Sequence, residues 1–136
     1  MTVVVDTSVA VAWYLNETFS TEARRWQDRM LSGQDTLLVP RLHFLEFANV
    51  LRTYVRRGEL DQALALDIYA LHLESPLEIT DTITEDILNT AFEYEATAYD
   101  AAFILLAITQ DAPLITAERT TTPWVVRLGK HAIVVS

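Results

Sequence analysis

The sequence predicts an α/β protein of three layers, α/β/α, around a central parallel sheet of about five strands. Five short runs rich in Val, Ile and Leu recur along the chain. Between them lie longer segments whose apolar residues return every three or four positions, the spacing of a helix face. Short, continuously apolar strands alternating with helices belong to a parallel sheet covered on both sides.

Val3 to Val5 is the first expected strand. Asp6, Thr7 and Ser8 then offer cap side chains for a short helix through about Leu15. Ser20 or Thr21 is expected to cap a second helix, with Ala23, Trp26, Met30 and Leu31 at helical spacing and Gly33-Gln34-Asp35 as its stop. Leu37 to Val39 is the second strand, ended by Pro40. A helix from about Leu42 to Arg57 carries Phe44, Phe47, Ala48, Leu51 and Val55, and Gly58 stops it. Asp61 caps the next helix, with Leu64, Ile68 and Leu71 in register. Leu77 to Ile79 is a short third strand. Thr84 is expected to cap a helix holding Ile87, Leu88, Ala91 and Phe92. Thr97 and Asp100 form a capping-box-like pair at the start of the following helix. Leu114-Ile115 is the fourth strand. Thr122-Pro123 opens a last helix that ends at Gly129, and Ala132 to Val135 is the fifth strand.

With 136 residues, 51% of them hydrophobic, and only three Gly and four Pro, residues 1–136 are expected to form a single domain with one sizeable core. Disordered linkers do not fit that composition. There is no cysteine, which excludes disulfides and thiolate metal sites and suits a reducing cytoplasm. No basic segment precedes the first strand, and the longest apolar run, Ala101 to Ile108, is too short to span a bilayer. A soluble, cytoplasmic protein without membrane association is expected. The net charge of −9 argues against a general nucleic-acid binder. Nine of the ten basic residues are nevertheless Arg, the better fork for phosphate, with Arg24, Arg25 and Arg29 in one group and Arg52, Arg56 and Arg57 in another.

Four acids stand where chemistry would be expected. Asp6 closes the first strand, Asp100 opens the run Ala101 to Ile108, and Glu118 follows the fourth strand. Glu46 sits inside the mostly apolar segment Leu42 to Leu51, with Asn49 three residues on along the same side. In a parallel sheet, sites form outside the carboxyl ends of the strands, so all four are expected on one rim. Charges in apolar surroundings are costly unless paired or bound to a cation. Few basic residues lie near them in sequence, so a divalent metal is the economical explanation, and phosphodiester hydrolysis the chemistry it suggests. Each acid also has a structural reading: Asp6 as a turn residue after a strand, and Glu118 as an exit-loop residue beside Arg119. An acid in a helix's first turn, as at Asp100, stabilises it by about 0.3–1 kcal/mol without any chemistry. Glu46 could pair with Arg41 or Arg52.

Other motifs carry less. His43, His72 and His131 lack metal-ligand spacing and read as structural or exposed. Ser8 has no sequence-level His base, and no Gly-rich phosphate loop exists. Trp13, Tyr14, Trp26, Tyr54, Tyr69 and Trp124 are expected in the core or an interface. The apolar concentration in the first half, including Leu15, Phe19, Phe44 and Val55, suggests surplus surface for an interface.

The segments Val3-Val4-Val5-Asp6-Thr7-Ser8-Val9, Leu45-Glu46-Phe47-Ala48-Asn49-Val50-Leu51, Tyr99-Asp100-Ala101-Ala102-Phe103 and Leu114-Ile115-Thr116-Ala117-Glu118 together resemble the PIN domain. More narrowly they resemble the VapC-type toxin ribonucleases of type II toxin–antitoxin pairs. The likeness covers essentially the whole chain. It departs at Glu118, where the family usually has Asp. The resemblance implies a PIN-like fold and an endoribonuclease dependent on Mg²⁺ or Mn²⁺, which hydrolyses RNA phosphodiesters with metal-activated water. It also implies a homodimer neutralised by a cognate, VapB-like antitoxin. By position it makes Asp6, Glu46 and Asp100 metal ligands and catalytic residues, with Glu118 a fourth ligand, direct or through water. Ser8, Thr116 and Asn49 would orient those carboxylates.

Two alternatives stay open at the level of sequence: a PIN nuclease of RNA processing outside any toxin pair, and an inactive PIN scaffold that binds RNA or protein. Two other α/β classes fail on residues. A haloacid-dehalogenase-like phosphatase needs a second Asp where Ser8 stands, and a response-regulator receiver needs an acidic pair where only Asp6 is present.

Overall fold

The computed structural model describes residues 1–136. Strand β1 (Thr2–Val5) leads through α1 (Thr7–Val11) and α2 (Ser20–Leu31) to β2 (Thr36–Val39). Helices α3 (Leu42–Arg56) and α4 (Gln62–Leu73) precede β3 (Glu78–Ile79). A 3₁₀ turn at Thr84–Asp86 enters α5 (Ile87–Tyr94), followed by α6 (Ala98–Thr109), β4 (Leu114–Thr116), α7 (Pro123–Leu128) and β5 (Ala132–Val134).

All five strands are parallel, in the order β3-β2-β1-β4-β5. Val3 lies opposite Leu37, and Val5 opposite Ile115. Side chains alternate along a strand, and this parity divides the core in two. Val3, Val5, Leu37, Val39 and Ile115 face Val9 and Ala10 of α1, Ala23 and Met30 of α2, Phe47 and Leu51 of α3 and Ile68 of α4. Val4, Leu38 and Leu114 face the opposite layer, with Phe103, Ile104, Leu106 and Ala107 of α6 and Trp124, Val125 and Leu128 of α7. Seven of the twelve α6 residues are buried, which explains why that helix is apolar on nearly every side. The expected three-layer α/β/α architecture is the one observed.

The chain winds from β1 outward to β2 and β3, then returns to place β4 against the other side of β1. This reversal opens a crevice beyond the carboxyl ends of β1 and β4, the usual place for a site in such a sheet. Asp6 follows β1, and Glu118 lies just past β4.

Several local expectations need correction. Helix α1 stops at Val11, and residues 12–15 are turn and bend rather than a continuation toward Leu15. Ser20 is inside α2: its hydroxyl accepts from the Glu17 N–H at 2.9 Å and donates to the Leu15 carbonyl at 3.0 Å, while Phe19 holds the cap position. Thr84 opens the 3₁₀ turn, not α5 itself. Helix α4 buries Ile68 and His72, with Ala65 and Tyr69 packed beside them, and leaves Leu64 and Leu71 exposed. Its sequence is apolar on two faces, so spacing alone could not select the inner one. The residues expected to form surplus apolar surface mostly pack against the core. Exposed apolar side chains stand on α2 (Leu31), α3 (Leu45), α4 (Leu66, Leu73), α5 (Leu88, Phe92) and α6 (Tyr99, Ile108).

Candidate active site

Asp6 occupies the cap position of α1, but its carboxylate does not cap the helix. Oδ2 instead accepts from Thr116 Oγ1 at 2.8 Å and from Ser8 Oγ at 3.2 Å. The two hydroxyls are themselves held in place. Ser8 Oγ accepts from the Ala117 N–H at 3.3 Å, and Thr116 Oγ1 from the Glu118 N–H at 3.1 Å. The ends of β1 and β4 are thus tied together around one carboxylate.

Glu46 lies on the first turns of α3 and is half-buried. Its Oε1 accepts from Thr7 Oγ1 at 3.0 Å. Asp100 stands in the first turn of α6, where Thr97 Oγ1 accepts from the Asp100 N–H at 3.0 Å. The reciprocal bond from the Asp100 side chain to the cap backbone does not form; its carboxylate is instead within reach of the Thr97 hydroxyl. Glu118 is half-buried, and its Oε1 accepts a long 3.4 Å bond from the Arg119 N–H. Asn49 is exposed, and its side chain makes no hydrogen bond.

The electrostatics join these acids. Burial raises the Asp6 pKa from 3.8 to about 6, against the pull of the Thr116 bond, and the Asp100 charge raises it further. Burial also raises Glu46, to about 7, with Thr7 opposing and Asp6 and Asp100 reinforcing. Asp100 is raised by burial and by Glu118, against its bond to Thr97. No cationic side chain offsets this repulsion. The ion pairs of the molecule are Met1 and Arg29 with Asp35, and Arg41 with Asp81. Arg41 is therefore engaged elsewhere, and neither it nor Arg52 pairs with Glu46.

No three His, Asp or Glu side chains stand together as a finished metal-ligand set. The donor chemistry still fits a hard divalent cation: carboxylate oxygens from four segments, partly buried, mutually repelling and without a positive partner.

Spacing missed two groups. Thr7, which touches Glu46, read only as part of a cap sequence. His43 and His72, fully buried, lie nitrogen to nitrogen, Nε2 to Nε2, at 2.7 Å. They come from different helices, and no periodic signal in a single sequence links positions 43 and 72.

The fold is shared with solved structures. The crystal structure of PAE2754 from Pyrobaculum aerophilum is 26% identical, with a TM-score of 0.74, over 99% of this chain and 92% of that one. A toxin–antitoxin complex from Klebsiella pneumoniae contains a chain 16% identical, with a TM-score of 0.54, over 96% of this chain and 95% of that one. A comparison with curated proteins returns no match. The PIN domain family matches residues 3–120, a span that begins in β1, passes through all four acids and ends just beyond Glu118. On that match the chain belongs to the PIN domain family, a nuclease family.

Proposed function

We propose that this protein is a divalent-metal-dependent endoribonuclease and the toxin of a toxin–antitoxin pair. The observation that carries the nuclease reading is the set Asp6, Glu46 and Asp100: raised acids at the sheet's topological reversal, electrostatically linked, and without a cationic partner. Mg²⁺ or Mn²⁺ would be held by these three, with Glu118 as a fourth donor. Such a cation supplies positive charge to a phosphodiester and acidifies water, the two things hydrolysis needs at neutral pH.

The chain's own residues perform the positioning. Thr116 and Ser8 both donate to Oδ2 of Asp6, which fixes that oxygen of the carboxylate. Thr7 fixes Oε1 of Glu46. Asp100 is anchored through its backbone by Thr97 in the first turn of α6. Rigid carboxylates lose little freedom when they bind, so affinity and geometry both gain. A net charge of −9 works against the approach of RNA, and neutralising the acid cluster reduces that repulsion at the site.

The toxin assignment, the cognate antitoxin and the homodimer rest on the sequence resemblance. A chain of a toxin–antitoxin complex shares this fold. No helix is long and apolar enough to cross a membrane. The test is to purify the chain free of any partner and incubate it with total RNA in Mg²⁺, Mn²⁺ or EDTA. Cleavage with either metal and none with EDTA is expected. Intact RNA under all three conditions would overturn the enzymatic reading.

A further inference from the structure

A continuous line of polar groups runs from Glu46 through buried Thr7, His43 and His72 to half-buried Tyr14 and Ser75. Thr7 Oγ1 donates to Glu46 Oε1 at 3.0 Å and lies 2.9 Å from His43 Nδ1. His43 Nε2 is 2.7 Å from His72 Nε2. His72 Nδ1 is 2.9 Å from the Tyr14 hydroxyl, which lies 3.3 Å from Ser75 Oγ. Phe47 stacks on His72 at 4.0 Å between ring centroids, and both histidines are fully buried. No buried side-chain polar atom of the molecule lacks a partner.

Counting hydrogens gives the line a direction. A threonine hydroxyl has one hydrogen, and toward a Glu46 carboxylate it is committed. The Thr7–His43 bond therefore takes its hydrogen from His43 Nδ1. The two facing Nε2 atoms can share only one hydrogen, so at most one ring is a cation, and burial disfavours even that. Burial lowers both rings, His43 to about 3 and His72 to about 4. Neutral His43 with hydrogen on Nδ1 must accept at Nε2, from His72 Nε2–H. Neutral His72 must then accept at Nδ1, from the Tyr14 hydroxyl. Every bond points toward Glu46.

We propose that Tyr14, His72 and His43 are positioning residues, forming with Thr7 a one-way hydrogen-bond relay that fixes the Glu46 carboxylate for cation binding. The proposal rests on the reading of Glu46 as a metal ligand. The Thr7, His43 and His72 side chains of the relay are buried among α1, α3 and α4, so it can set the Glu46 rotamer without touching substrate. Bonds aligned in one sense polarise one another, so the loss of a distant donor is felt at the carboxylate.

Two measurements test it. Nitrogen-15 NMR in alkaline buffer should find His43 protonated on Nδ1 and His72 on Nε2; the opposite tautomers would overturn the relay. Calorimetric Mn²⁺ titration should find affinity reduced roughly 10-fold by Thr7→Val, restored by Thr7→Ser, and reduced about 3-fold by Tyr14→Phe, which acts from further away. In the Thr7→Val background Tyr14→Phe should add nothing, since its path to Glu46 is already cut. A Tyr14→Phe protein that loses thermal stability but binds Mn²⁺ as wild type does would make the tyrosine merely structural and sink the proposal. Glu46→Gln separates the two failures. If it weakens Mn²⁺ while Tyr14→Phe does not, only the relay is wrong; if it leaves Mn²⁺ binding unchanged, the ligand reading falls and the positioning role with it.

Discussion

Thr116 Oγ1 donates to Asp6 Oδ2 at 2.8 Å although 110 positions separate the two residues in sequence. The bond ties the carboxyl ends of β1 and β4 together at the point where strand order reverses, and it holds a carboxylate that burial would otherwise disfavour. Asp6→Asn should abolish metal-dependent RNA cleavage, and Asp100→Asn should do the same. Neither should harm the metal-free fold, because each removes one charge from a repelling set. RNA cleavage assays together with thermal unfolding in EDTA check both halves. Near-wild-type cleavage by either variant would mean the site is misassigned.

The raised acids and the lowered histidines pull stability in opposite directions with pH. Asp6 goes from 3.8 to about 6 on folding, so between those values the native state holds a proton that the unfolded chain has released. Stability from this group is therefore lost as pH rises through that window. Glu46 acts likewise up to about 7. His43 and His72 fall from 6.5 to about 3 and about 4, so they remove stability as pH drops below 6.5. Wild type minus Asp6→Asn isolates the acid. In EDTA the melting temperature of wild type should fall relative to the variant between pH 4 and 6. Mg²⁺ should reverse that trend, binding more tightly as pH rises and releasing protons where the acids were still protonated. A pH-independent difference between the two proteins would show that Asp6 titrates normally.

The sheet was legible in the sequence because each strand is a short apolar run, and parity within Val3-Val4-Val5 already assigns residues to two faces. The arrival of Asp6 and Glu118 at one rim followed from the strand-end rule for parallel sheets. Helix faces were less readable where both sides are apolar. In α4, Leu64 and Leu71 fit a helical period as well as the inner stripe of Ala65, Ile68, Tyr69 and His72. The His43–His72 contact joins two helices across a hydrogen bond, which leaves no trace in local spacing. Helix α5 ends at Glu95 in the left-handed conformation, with φ 53°, where a glycine would have announced the stop.

The expected homodimer needs apolar surface, and α5 offers Leu88 at 61% and Phe92 at 74% exposure, one helical turn apart. Ile83, just before the helix, is 60% exposed. Light scattering of wild type at micromolar concentration should give twice the chain mass, and Phe92→Asp should give a monomer with an unchanged far-UV spectrum. Desolvating a charge in such a contact costs more than the lost aromatic area alone. A wild-type monomer would remove the dimer, and a dimeric Phe92→Asp would move the interface to another face.

Glu118 is the acid whose role the geometry ties down least. Its backbone N–H is used on Thr116 Oγ1, while its carboxylate makes only a 3.4 Å bond to the next residue's N–H and acts on Asp100 through charge. Asp6 and Glu46, by contrast, are each gripped by a hydroxyl. A loosely held carboxylate contributes less to a metal site than a fixed one, because binding must first order it. Glu118→Gln should therefore lower cleavage and raise the Mg²⁺ concentration needed for half-maximal activity, while measurable cleavage remains. Glu118→Asp should preserve or improve activity, since a shorter side chain has fewer rotamers to restrict. Mg²⁺-dependence curves for the two variants decide the matter. If Glu118→Gln is as inactive as Asp6→Asn, the side chain is a direct and essential ligand despite its free position. If Glu118→Asp is dead while wild type cleaves, the backbone after β4 requires the longer reach of Glu, and the loop is matched to this residue rather than to Asp.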